Sequence, residues 1–152
     1  MSRELLGNQT NVTVRFSEVD MMYVVHHSRY WVWFEESKFN FLKKILCISV
    51  NDIIESDILM PVVDCSCSYL SSVKWQHDIV VETKLEIINA PYLIFHHTIY
   101  DETEPEKRRT LCRGMVKHAF INNNFNMKLK TPSFIAEAIK NNLDSKSFAF
   151  IK

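Results

Sequence analysis

Hydrophobic positions alternate with polar ones through most of this chain, with one long interruption. Val12, Val14 and Phe16 fall on one face of an alternating run, which predicts a strand over 11–16. Tyr30, Phe34, Ser37, Phe41 and Ile45 then recur at steps of four, three, four and four, one face of a helix. Ser28 is the expected N-cap, and Lys43 and Lys44 suit the negative end of the helix dipole. Trp31, Trp33 and Phe39 widen the apolar surface, so this helix is expected to be buried on more than one side.

After the helix, Ser49 with Asp52 three residues on reads as a capping box opening a short second helix over 49–57. Four alternating runs follow. A strand is predicted from Pro61 to about Trp75, with Val63, Cys65, Cys67 and Tyr69 on one side and a bend near Ser71-Ser72. Others span 79–88, 92–100 and 108–121, separated by the turns Gln76-His77-Asp78 and Asn89-Ala90-Pro91 and by the charged loop DETEPEK. Gly114, in mid-strand, marks a bulge or a close backbone approach. Asn122-Asn123-Asn124 turns the chain toward a short terminal helix after Pro132, and residues 1–9 are expected to be loosely held. Strand, long helix, short helix and four strands make an α+β pattern, one antiparallel sheet of about five strands wrapped around one long helix. With 152 residues, no linker and no internal repeat, the expectation is a single domain over 1–152.

Composition narrows the function by exclusion. Hydrophobic residues make up 47%, enough for a core, and the formal net charge is zero, which gives no electrostatic case for nucleic acid or an anionic membrane. No apolar run reaches membrane-spanning length and no signal-peptide pattern opens the chain, so a cytoplasmic location is expected. Cys47, Cys65, Cys67 and Cys112 form no CxxC pair and are expected to be reduced and mostly buried. His77, His96, His97 and His118 have no metal-ligand spacing, so no metal and no cofactor are expected.

The candidate chemistry lies just before the long helix, in DMMYVVHHSRY. A helix N-terminus offers unpaired N–H groups and partial positive charge, and Asp20 stands one loop upstream. A carbonyl between them would be polarised by the amides and attacked by the acid, or by water that the acid activates. Residue type and spacing alone fit a solvated loop acid and surface histidines more readily than a catalytic site.

The stretch resembles the hydroxybenzoyl-CoA thioesterase-like family of hot-dog-fold acyl-CoA thioesterases, whose members carry a pattern like DTDAMGVVYHANYLRYFEEAR. Asp20 matches the catalytic acid, Val24-Val25 the VV pair, His27 the His, Tyr30 the Tyr, and Phe34 to Lys38 the FEEAR run. PVVDCSCSYLSSVKWQHDIVVETKLE and CRGMVKHAFI look like later strands of the family, so the likeness covers roughly 10–134. It implies a hot-dog fold, hydrolysis of an acyl-CoA or acyl-carrier-protein thioester, and a homodimer or homotetramer. Asp20 would be nucleophile or general base, and the His27 backbone N–H would be the oxyanion donor. Tyr23, His26 and Tyr30 would contact substrate, with Lys74, Arg113 and Lys117 as candidates for the CoA phosphates. Tyr23 stands where the family often has Gly, His26 where it has Tyr, and Arg29 where it has Asn. Gly there permits φ > 0 and leaves space that Tyr would fill. The alternatives are a hot-dog hydratase or dehydratase, and an acyl-thioester binder in which Tyr23 prevents turnover.

Overall fold

The computed structural model describes residues 5–149. Its elements are β1 (Leu5–Thr13), α1 (Ser28–Lys44), α2 (Val50–Glu55), β2 (Val62–Tyr69), β3 (Asp78–Glu86), β4 (Tyr92–Asp101), β5 (Arg109–Ala119) and α3 (Ser133–Ala149). All five strands join one antiparallel sheet in the order β1-β3-β4-β5-β2. The sheet folds around α1, the α+β hot-dog arrangement that the resemblance implies.

Helix α1 is held by the stripe its spacing predicts. Tyr30, Phe34, Ser37 and Phe41 are buried, with Trp33 and Leu42 beside them. Two core clusters divide its length. The C-terminal half of α1 (Phe41, Leu42) packs with Leu6, Leu85, Phe95, Phe120 and Ile135. The N-terminal half (Tyr30, Trp33, Phe34) packs with Val14, Val25, Val73, Val81, Ile99 and Leu111. Burying a large apolar side chain is worth about 1.5–3 kcal/mol, so these faces fix the helix on the sheet.

The first strand differs from its expected span. β1 begins at Leu5, because pairing from Leu5↔Glu86 to Thr13↔Asp78 and the full burial of Leu6 hold a segment whose local sequence is polar; residues 1–4 lie outside the described residues. It also ends at Thr13, before Val14 turns into the core and a 3-10 turn forms at Phe16–Glu18. Phe16 therefore does not join the core face; it is 75% exposed, its ring edge-on to Trp75 at 5.6 Å.

β2 stops at Tyr69 rather than Trp75, since the Leu70 and Ser71 N–H groups both donate to the Leu111 carbonyl (2.9 and 3.0 Å) and bend the chain there. It sits at the sheet edge beside β5, and nearly all of its residues are exposed. Gly114 marks a close approach: a Cβ there would stand 2.4 Å from Phe34 Cε2. The sheet irregularities fall elsewhere, at Val62/Asp64 and Ile99/Tyr100. The Ser49–Asp52 capping box is present in both directions, while α3 extends over 17 residues, longer than expected. Among the cysteines, all free, only Cys112 is buried; Cys47 and Cys65 are exposed because they lie past the end of α1 and on the edge strand.

Candidate active site

The loop between β1 and α1 is a hydrogen-bonded turn built on Asp20. The Asp20 N–H donates to the Val24 carbonyl (2.9 Å) and the Tyr23 N–H to the Asp20 carbonyl (3.0 Å). Asp20 Oδ1 accepts from the Met22 N–H at 2.7 Å. Closing so tight a turn drives Tyr23 to φ 60, the left-handed region. Tyr23 thus takes the backbone conformation that Gly adopts freely, and its ring is 84% exposed. The loop is pinned at its base, where the Val25 N–H donates to the Val73 carbonyl (2.8 Å) and the His26 N–H to the Glu18 carbonyl (2.9 Å).

Ser28 does not cap α1. It is the first residue of the helix and His27 occupies the N-cap position without a side-chain cap, while His26 takes the first amides, its Nδ1 accepting from the Ser28 N–H (3.3 Å) and its carbonyl from the Arg29 N–H (2.9 Å). The Ser28 hydroxyl instead pairs with His26 Nδ1 at 2.9 Å. Among the described residues the His27 N–H has no hydrogen-bond partner. The His27 N–H is thus a free donor at the start of α1, with the positive end of the dipole behind it.

Asp20, Val25, His27 and Tyr30 line one cleft of about 280 Å³ with Tyr69, Leu70, Ser71 and Ser72. Asp20 is half-buried, and its Oδ2 carries no hydrogen bond among the described residues. Tyr30 forms a buried wall, and burial pushes its phenol above the usual range. Tyr69 crosses the cleft: its ring is edge-on to Tyr30 at 5.0 Å, and its hydroxyl donates to the His27 carbonyl at 3.3 Å. Burial, then the Cys67 thiol, pushes the Tyr69 phenol up as well.

The cleft thus brings together Asp20, His27 and Tyr30 of the expected site residues. Tyr23, His26 and Lys74 do not line it. His26 is exposed, its ring 4.2 Å from that of His27, and Lys74 is exposed, its N–H donating to His77 Nδ1 at 3.5 Å. Sequence reasoning missed Tyr69, Ser71 and Ser72. The bend at the serines was legible, but a contact 42 residues away from His27 has no local signal.

A second hollow of about 190 Å³ lies further along α1, lined in part by Trp31, Phe34, Lys38, His97 and His118. Lys38 is buried and paired with Glu35. A further hollow of about 620 Å³ lies between α2 and α3 and is lined by no residue of the motif. Among the described residues no cluster of three or more His, Cys, Asp or Glu side chains suits a metal, and no helix is long and apolar enough to cross a membrane.

Residues 14–139 match the family model of the Thioesterase-like superfamily. The chain belongs to this superfamily. A putative acyl-CoA thioesterase, YneP, of Bacillus subtilis is 30% identical over 94 residues, covering 62% of this chain and 67% of that protein. The thioesterase fold extends through solved structures of lower identity. A DHNA-CoA thioesterase from Staphylococcus aureus superposes with a TM-score of 0.80 at 22% identity, covering 94% of this chain and 95% of that one. The 4-hydroxybenzoyl-CoA thioesterase of a Pseudomonas species gives 0.76 at 16% identity, covering 90% and 99%. At these identities the likeness establishes the fold.

Proposed function

We propose that this thioesterase hydrolyses an acyl-CoA thioester in the Asp20 cleft, giving free acid and thiol. Family membership and the acyl-CoA thioesterase relative support the reaction. The observation that carries the site is that one cleft is lined by both Asp20, whose Oδ2 has no hydrogen bond among the described residues, and His27, whose N–H at the start of α1 has none either.

In the proposed mechanism the thioester carbonyl lies against the N-terminus of α1. The His27 N–H donates to its oxygen and strengthens that bond as negative charge develops; such a donor is worth about 3 kcal/mol of barrier. Asp20 Oδ2 either attacks the carbonyl carbon or takes a proton from the attacking water, while Oδ1 stays held by the Met22 amide. Collapse expels the thiolate, a good leaving group that needs little protonation; where Asp20 is the nucleophile, water then hydrolyses the acyl-Asp20 anhydride, releasing the acid and restoring the carboxylate. Tyr30 and Tyr69 form the acyl wall, with Tyr69 also fixing the His27 peptide.

Lys74, Arg113 and Lys117 remain candidates for the CoA phosphates from outside the cleft, and an acyl carrier protein is the alternative thiol carrier. A binder without turnover required Tyr23 to fill the site, and its ring lies in solvent. We also propose assembly as a homodimer or homotetramer through the exposed β2 edge, since an unpaired strand edge is a template for pairing. A cytoplasmic setting fits the four free cysteines.

Thiol release from a panel of short, long and aromatic acyl-CoAs tests the reaction. Turnover of at least one member with free thiol as product is expected. Loss of enoyl-thioester absorbance without thiol would instead identify hydration.

A further inference from the structure

Two thiols meet beneath the cleft, across the pairing of β2 with β5. Cys67 pairs with Gly114 and Tyr69 with Cys112, so Cys67 and Cys112 are diagonal neighbours on the face that α1 covers. Their Sγ atoms are 3.2 Å apart. A disulfide needs about 2.05 Å, so a closure of little more than an ångström would join them. The two differ in access. Cys112 is fully buried, whereas Cys67 is half-buried on the edge strand. Burial also pushes the Cys112 thiol up, which keeps it protonated and leaves Cys67 as the thiol an oxidant meets first.

We propose that Cys67 and Cys112 form a site of reversible oxidation by a hydroperoxide, and that the crosslink slows the thioesterase. The Cys67 thiolate attacks the terminal peroxide oxygen, the O–O bond breaks, and Cys67 becomes a sulfenic acid while the other oxygen leaves as water or an alcohol. Cys112 sulfur then attacks the Cys67 sulfur. The S–O bond breaks, the departing hydroxide takes the Cys112 proton to form water, and the disulfide remains. Two thiols are oxidised and one peroxide is reduced.

The link to activity runs through Tyr69 and rests on the function proposed above. Cys67 and Tyr69 stand two residues apart on the same face of β2, and the Tyr69 phenol holds the His27 carbonyl. Drawing Cys67 sulfur onto Cys112 pulls on β2 beside Tyr69 and moves the wall that positions the oxyanion donor.

The test uses full-length protein carrying Cys47→Ala and Cys65→Ala, treated with hydrogen peroxide. Remaining thiols are alkylated and the protein is read by intact mass and peptide mapping, with thiol release measured in parallel. The expected product is an intrachain Cys67–Cys112 crosslink with severalfold slower turnover, and dithiothreitol should restore both the free thiols and the rate. Adding Cys67→Ala should abolish the crosslink and the inhibition. Persistence of both thiols, over-oxidation without a crosslink, or a crosslink that leaves turnover unchanged would each overturn the inference. The mass readout does not depend on turnover, so failure of the thioesterase reading would be seen separately, as a reduced protein inactive on every substrate.

Discussion

Phe34 occupies the space that a side chain on Gly114 would need. A Cβ at Gly114 would lie 2.4 Å from Phe34 Cε2 and 2.7 Å from Cζ. The Phe34 ring is also stacked on His97 at 4.6 Å, so it has little room to withdraw. This contact lets α1 settle onto β5 and sets the depth of the helix whose first turn forms the cleft.

Gly114→Ala is therefore expected to destabilise the protein by about 1–3 kcal/mol, the usual cost of overpacking. Urea unfolding should show a lower midpoint with an unchanged m-value. Combining it with Phe34→Leu should cost less than the sum of the two single changes, because the leucine vacates the ring edge. Simple additivity would mean that the clash is relieved elsewhere.

Tyr23 at φ 60 carries backbone strain with little packing in return, given its exposure. A left-handed conformation costs a non-glycine residue about 1–2 kcal/mol. Tyr23→Gly should raise the melting temperature by about 2–4 °C while preserving the turn. A fall in melting temperature would show that the Tyr23 ring makes contacts that outweigh the strain.

His97 gives the protein a pH dependence. It is 2% exposed, its Nδ1 lies 3.0 Å from Thr83 Oγ1, and burial, then the Lys38 cation and the neighbouring histidines, lower its pKa to about 3. An unfolded histidine takes its proton near pH 6.5. Between those values the unfolded chain binds more protons, so stability falls as pH drops below about 6.5. The expected loss from His97 is about 2 kcal/mol by pH 5, at roughly 1.4 kcal/mol per pH unit. His118, also lowered by burial, acts in the same direction. His97→Gln should flatten the dependence of the urea midpoint between pH 7.5 and 5; an unchanged slope would assign it to other groups.

Glu18 holds the loop base from inside. It is buried, Oε1 accepts from Trp33 Nε1 (3.1 Å), and Oε2 accepts from the Arg15 N–H (2.7 Å). Glu18→Ala strands the buried Trp33 Nε1–H and should cost about 1–3 kcal/mol, while the N–H of exposed Arg15 turns to water. Because its carbonyl, not its carboxylate, anchors His26, kcat per folded molecule should change less than stability. A large fall in kcat with stability intact would give Glu18 a part in the chemistry.

Helix α1 was legible because its burial follows a period that the sequence displays: Tyr30, Phe34, Ser37 and Phe41 are all buried. The Ser49–Asp52 box was legible because a capping box is local. The start of β1 was not, since Leu5 to Asn8 owe their strand to pairing with residues 83–86. Lys38 is equally opaque: a lysine is expected in solvent, yet its stem is buried and its charge is paired with Glu35. Within the cleft, the resemblance drew attention to Asp20 and His27. Tyr69, at the end of β2, and the Ser71-Ser72 bend after it reach the cleft only through the fold. The resemblance also marked position 23 as a place for φ > 0, and Tyr23 adopts that conformation without glycine.

Asp20→Asn tests the central claim most directly. The amide keeps the size of the side chain and an oxygen for the Met22 N–H, but it is neither a nucleophile nor a general base at neutral pH. Thiol release from the best acyl-CoA should fall by roughly two orders of magnitude or more, with the melting temperature little changed. Turnover that survives in Asp20→Asn would contradict the account and place the chemistry on another group.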